Sequence, residues 1–209
     1  MAGKTKSPER LVFFSDAVVA IALTLLVLPL VDIVSDARKA GPLPPVLDLI
    51  KDNQTVIWSF LISFVVIVRL WLVHHRVFEQ VKAYNTPLMV VNLVWLLTVV
   101  ILPFTTELAA NYNGHDRMVL VFYVGTLFIS SVLLSVLLWI VRTDPEVRRS
   151  PDAISDGWWF DEVSVTATFL VAVVLVAVFP MLSYYVLLLL LVQPQIVRLR
   201  NRARARSLS

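Results

Sequence analysis

The chain has 209 residues, of which 58% are hydrophobic, with a mean hydropathy of +0.81, a formal net charge of +3 and no cysteine. A soluble domain is roughly 45–50% apolar, so this composition excludes one and points to a membrane protein. The missing cysteine excludes disulfides, iron–sulfur clusters and thiolate chemistry.

Six apolar runs are legible, at 11–31, 56–73, 88–110, 118–141, 163–179 and 181–197. A helix rising about 1.5 Å per residue needs roughly 20 residues to cross about 30 Å of hydrocarbon, a length most of the runs reach. The last is a short leucine-rich block interrupted by Gln193, Pro194 and Gln195. The expected fold is all-α and polytopic: one six-span membrane domain over residues 1–209, ending in a basic tail at 198–209.

The first run reads as a retained span. It is too long for a signal peptide, carries Asp16 and has no small-residue cleavage site before Asp32. Its opening, RLVFFSD, puts Ser15 and Asp16 inside an apolar helix, where an aspartate costs on the order of 2–3 kcal/mol unless it has a partner. At 100° per residue, Ala17, Ile21, Thr24, Leu25 and Leu28 form one stripe, and Ser15 and Asp16 point away from it to the flanks. A helix that is apolar all round does not declare which face meets lipid.

The following connection, DIVSDARKAGPLPPVLDLIKDNQ, contains Gly41, Pro42, Pro44 and Pro45, which break a helix, and then a short amphipathic stretch, VLDLIKD. It is expected to cap the outer side. The second span ends RLWLVHHRVFEQV, which brings Trp71, His74 and His75 to the same side as Arg10, Ser15 and Asp16. A histidine there supplies Asp16 or Ser15 with a hydrogen-bond partner. His75 and Glu79 share a helical face, but His115 belongs to the opposite side, and no metal site is expected. Arg69, within the second span, either snorkels to the headgroups or pairs with an acidic group of a neighbouring span.

The third run ends LLTVVILPFTTEL, with Pro103 and Phe104 near the outer side. The connection before the fifth carries Trp158 and Trp159, an interfacial anchor. Pro180 leaves almost no loop between the fifth and sixth runs, so a tight hairpin is expected. With the amino terminus inside, thirteen Lys and Arg fall on the cytoplasmic side and four on the other, so the positive-inside rule puts both termini in the cytoplasm. The tail RLRNRARARSLS reads as a cap for anionic headgroups and not as a nucleic-acid site.

No phosphate loop, nucleophile elbow or zinc spacing is present, so no enzyme, cofactor or resident metal is expected. Buried Asp and His are also what proton relays use, which leaves a proton-coupled secondary transporter as the alternative reading to a channel.

Arg10, Phe14, Ser15 and Asp16 spell R-x-x-x-F-S-D at the start of the first span. With AVVAIALTLLVL after it, WLVHHRVF on the second span and LPFTT closing the third, the chain resembles the transmembrane protein 175 family of endosomal and lysosomal potassium channels in its bacterial six-span form, over about residues 10–108. The resemblance implies a potassium-permeable, modestly selective cation channel without a carbonyl filter, and no TVGYG occurs here. It implies a constriction at Ile21, further rings at Leu25 and Leu28, and a hydroxyl ring at Thr24. The R-x-x-x-F-S-D residues would tie the first span to its neighbours, with His74 or His75 as the partner of Asp16. Family members line the pore with first spans, so a homotetramer in a lipid bilayer is implied, passing monovalent cations with K+ as the permeant ion. A bacterial inner membrane is the expected location.

Overall fold

The computed structural model describes residues 7–112, 116–152 and 154–178. The expected sixth span, its hairpin at Pro180, His115, Lys4, Lys6 and the basic tail lie outside the described residues.

Seven helices follow in order: α1 (Glu9–Leu25), α2 (Leu28–Ala40), α3 (Val46–Asp52), α4 (Gln54–Glu79), α5 (Thr86–Asn111), α6 (Arg117–Thr143) and α7 (Asp156–Val178). Five units are long and apolar enough to cross a membrane: Glu9–Ala40, Gln54–Glu79, Thr86–Asn111, Arg117–Thr143 and Asp156–Val178. The described fold is therefore an all-α polytopic membrane protein.

The first unit corrects the expected boundary at residue 31, because its helix runs on to Ala40. The segment SDARKA contains helix formers, and Lys39 Nζ bonds Asp36 Oδ1 at 2.8 Å across one turn. The helix stops at Gly41, whose φ of 151° is a conformation that side chains resist. Pro42 follows. The same unit is broken once, at Leu26 and Val27. Pro29 has no N–H to offer the Leu25 carbonyl, and Val27 N–H turns back to Thr24 O at 3.2 Å. VLDLIKD forms α3, as its amphipathic pattern predicts.

Caps mark the longer helices. Asn85 Oδ1 accepts from Leu88 N–H at 3.0 Å, with Pro87 in the first turn of α5. Asp116 Oδ1 accepts from Met118 N–H at 2.8 Å and Val119 N–H at 3.2 Å at the start of α6. The core lies along α5 and α6, where Leu88, Trp95, Val99, Leu127 and Leu137 are fully enclosed. α1 and α4 pack on α5, and α7 packs on α6. Two connections are stitched together beside this core: Lys82 N–H reaches Val147 O at 2.9 Å, and Arg149 N–H reaches Gln80 O at 2.7 Å.

Hydroxyls join the helices at other depths. Thr106 Oγ1 donates to Ser63 Oγ at 2.9 Å, which lies 3.0 Å from Tyr123 Oη, linking α5, α4 and α6. Thr166 Oγ1 lies 2.8 Å from Ser131 Oγ and 2.9 Å from Ser135 Oγ, linking α7 to α6. Such bonds average well under 1 kcal/mol each in a bilayer, but they fix which faces meet.

Candidate functional site: the two faces of α1

One face of α1 is sealed and the other is open. Leu11, Ser15, Val19, Ala22 and Leu26 are buried, a stripe with the spacing of one helical face. On the other side Ile21, Leu25 and Leu28 are 59%, 40% and 51% exposed, and Ala17 and Thr24 are also exposed. The stripe read from the sequence is therefore exposed, on the side turned away from the other described helices.

The sealed face is fixed by a chain of hydrogen bonds. Ser15 Oγ donates to Leu11 O at 2.8 Å and accepts from Asn92 Nδ2 at 2.9 Å. Asn92 Oδ1 in turn accepts from His74 Nε2 at 2.7 Å. His74 lies between Trp95 and Phe78, with ring centroids 4.2 and 4.4 Å away. Three helices, α1, α4 and α5, thus share one buried polar line, and every member of it has a partner, as a low-dielectric interior demands.

Asp16 is half-buried, and its partner corrects the expectation. Its Oδ1 accepts from Trp71 Nε1 at 2.8 Å, not from a histidine. His74 is committed one turn further on, to Asn92. His75 sits beside Trp71, ring centroids 5.4 Å apart, with Nε2 3.7 Å from Glu79 Oε1. An indole N–H only donates, which suits a carboxylate oxygen as acceptor.

Of the residues singled out in the sequence, Ser15, Asp16, Trp71 and His74 come together. Arg10 and Phe14 stay on the exposed side of α1. Asn92 and Trp95 were missed, although a lone amide in VVNLVWLL is a visible signal. Glu162 was missed as well: it is buried on α7 and lines a cavity of about 50 Å³ with Arg69 of α4. Their shared lining puts an acidic group of a neighbouring span beside Arg69.

The chain is thus a polytopic bundle whose first helix is tethered through Ser15 and Asp16, and comparison with known proteins says which proteins share that arrangement. Residues 10–103 match the model of the endosomal/lysosomal potassium channel TMEM175. A potassium channel of Streptomyces collinus is 36% identical over 108 residues, covering 52% of this chain and 50% of its own. The mouse endosomal/lysosomal proton channel TMEM175 is 27% identical over 129 residues, 61% of this chain and 25% of its own. The crystal structure of a lysosomal potassium-selective channel TMEM175 homolog from Chamaesiphon minutus superposes with a TM-score of 0.73 at 25% identity, covering 90% of this chain and 97% of that one. Over residues 10–103 the chain is similar to the TMEM175 family, and its described fold is that of the solved homolog. Its alignments span half the length of the Streptomyces relative and a quarter of the mouse one.

Proposed function

We propose that four copies of this chain stand around one axis with the open face of α1 turned inward, forming a potassium-permeable cation channel whose narrowest ring is Ile21. One observation carries the reading: Ile21, Thr24 and Leu25 lie on the face of α1 that its own subunit leaves uncovered, and Leu28 at the start of α2 is exposed as well, while the opposite face of α1 is bonded to α4 and α5. One α1 cannot enclose a pore, so symmetric copies must supply the remaining walls. Bacterial relatives described as potassium channels support the same reading. The domain is one six-span unit in a bacterial inner membrane, with both termini cytoplasmic.

A ring of isoleucines presents no oxygen to replace an ion's water, so it works as a dewetting constriction and favours the ion that sheds water more cheaply. That is K+ over Na+, by a modest margin. Thr24 donates its hydroxyl hydrogen to Ile21 O at 2.7 Å, which leaves its oxygen lone pairs to face a passing cation just beyond the constriction. Leu25 carries the apolar throat up to the break at Leu26 and Val27, and Leu28 continues it beyond.

The test is single-channel recording from purified protein in liposomes. Ile21→Asn should raise conductance and blur the preference for K+. The chain has no cysteine, so Ile21→Cys introduces a unique thiol, and a charged thiol reagent should block its current from the aqueous side. Unchanged currents in both variants would overturn the assignment. A coupled transporter would show saturating flux and no unitary currents. The mouse relative is described as a proton channel, so proton flux is measured in the same liposomes.

A further inference from the structure

Where α6 ends and α7 begins, two openings share their walls. One, of about 420 Å³, is bounded by Trp139, Arg142, Thr143, Asp156, Trp159 and Phe160. The other, of about 300 Å³, continues from Trp139 and Trp159 along the seam of the two helices, past Val132, Val136 and Val163. The hydroxyls at that seam, Ser135 and Thr166, bond each other at 2.9 Å, so the furrow has no unmet polar demand and accepts a hydrocarbon chain.

The mouth has a different chemistry. Arg142 and Asp156 form an ion pair there, with side chains 34% and 76% exposed. The guanidinium also lies over the Trp159 ring, 5.8 Å from its centroid. A guanidinium carries five N–H donors in a fixed fork, so Arg142 can keep Asp156 and still receive a phosphate. Asp156 has oxygen lone pairs turned to solvent. Opposite charges within one mouth, above an apolar furrow framed by two indoles, complement an amphiphile whose head carries an anion and a cation close together.

We propose that this is a binding site for phosphatidylethanolamine, with the lipid phosphate on Arg142, its ammonium on Asp156, and one acyl chain in the furrow between Trp139 and Trp159. Phosphatidylglycerol offers the phosphate but no cation, and its head meets the Asp156 charge. Phosphatidylcholine offers a quaternary ammonium with no N–H to donate. Among the described residues the site is built by α6 and α7.

The experiment is native mass spectrometry of the full chain purified in detergent and titrated with equimolar phosphatidylethanolamine, phosphatidylglycerol and phosphatidylcholine of identical acyl chains. The wild type should retain phosphatidylethanolamine in preference to the other two. Asp156→Asn should lower the ratio of bound phosphatidylethanolamine to phosphatidylglycerol by about three- to fivefold, the range an exposed ion pair sustains, and Asp156→Glu should restore it. Arg142→Gln should reduce retention of both phosphatidylethanolamine and phosphatidylglycerol, and Trp139→Ala should reduce all three lipids alike. Glycerophosphoethanolamine, the head without chains, should compete poorly. Equal retention of the three lipids by the wild type, an unchanged ratio in Asp156→Asn with an unchanged melting temperature, or full competition by the chainless head would each overturn the proposal.

Discussion

The imidazole of His74 lies flat on the indole of Trp95, with centroids 4.2 Å apart and planes 8° from parallel, while its Nε2 bonds Asn92 Oδ1 at 2.7 Å. The stack fixes the plane of the ring and the bond fixes its rotation within that plane, so α4 and α5 are held in one register. Ser15 is bonded through the same amide, so the orientation of α1 depends on this pair too.

Asn92→Leu should therefore be costly. It leaves the His74 N–H without an acceptor in a buried place, an expected loss of about 1–3 kcal/mol. Thermal unfolding followed by tryptophan fluorescence measures it. Adding His74→Phe keeps the stack and removes the orphaned donor, so the double variant should lose less than the two singles together. Strict additivity would show that the two residues do not act as one unit.

Trp71→Phe keeps an aromatic ring and deletes only the donor to Asp16. A hydrogen bond to a charged group is worth about 1.5–3 kcal/mol, and the yield of assembled protein on size exclusion should fall. His75→Gln should change little by the same measure. If the histidine variant is the damaging one, Trp71 is not the partner that matters. Asp16→Ala should likewise reduce assembly more than it alters ion preference in the channels that survive.

Arg69 and Glu162 share an enclosed cavity between α4 and α7. Removing either charge takes away an opposite charge that lines the same cavity, so Arg69→Met and Glu162→Gln should each destabilise, by about 1–3 kcal/mol. The double variant should recover part of that loss. A double-mutant cycle on melting temperature reads the coupling, and a coupling of zero would separate the two residues.

Pro29→Ala returns an N–H to the Leu25 carbonyl and should mend the break between α1 and α2. Hydrogen–deuterium exchange should slow over residues 25–31 and remain unchanged over residues 46–52. Equal exchange in both proteins would place the cause of the break elsewhere.

Each of the first five apolar runs overlaps a helical unit long enough to cross a bilayer, because length and hydropathy decide what a bilayer accepts, but the second run stops six residues before Glu79 and the fifth begins seven residues after Asp156. The first was foretold too short. The pattern that ends hydrophobicity at Val31 is not the pattern that ends a helix, which here is Gly41 followed by Pro42. The open stripe on α1 was legible as a stripe, yet its exposure was not, since a helix apolar on every side carries no periodic signal of its partner. The bonds were less legible still. Asp16 meets Trp71 across 55 residues and Ser15 meets Asn92 across 77. Spacing within one helix is silent about such partners. The histidines were the obvious candidates by chemistry, but packing gave His74 to Asn92 and left Asp16 to the indole.

The stitch between the connections, Lys82 to Val147 and Arg149 to Gln80, has a mechanical consequence. It clamps the hairpin of α4 and α5 to the hairpin of α6 and α7 at one end, so neither pair can slide past the other there by more than a hydrogen bond will stretch. At the far end the chain itself joins the two hairpins, between Asn111 and Arg117, so the pairs are pinned at both ends and their relative movement is limited to flexing in between.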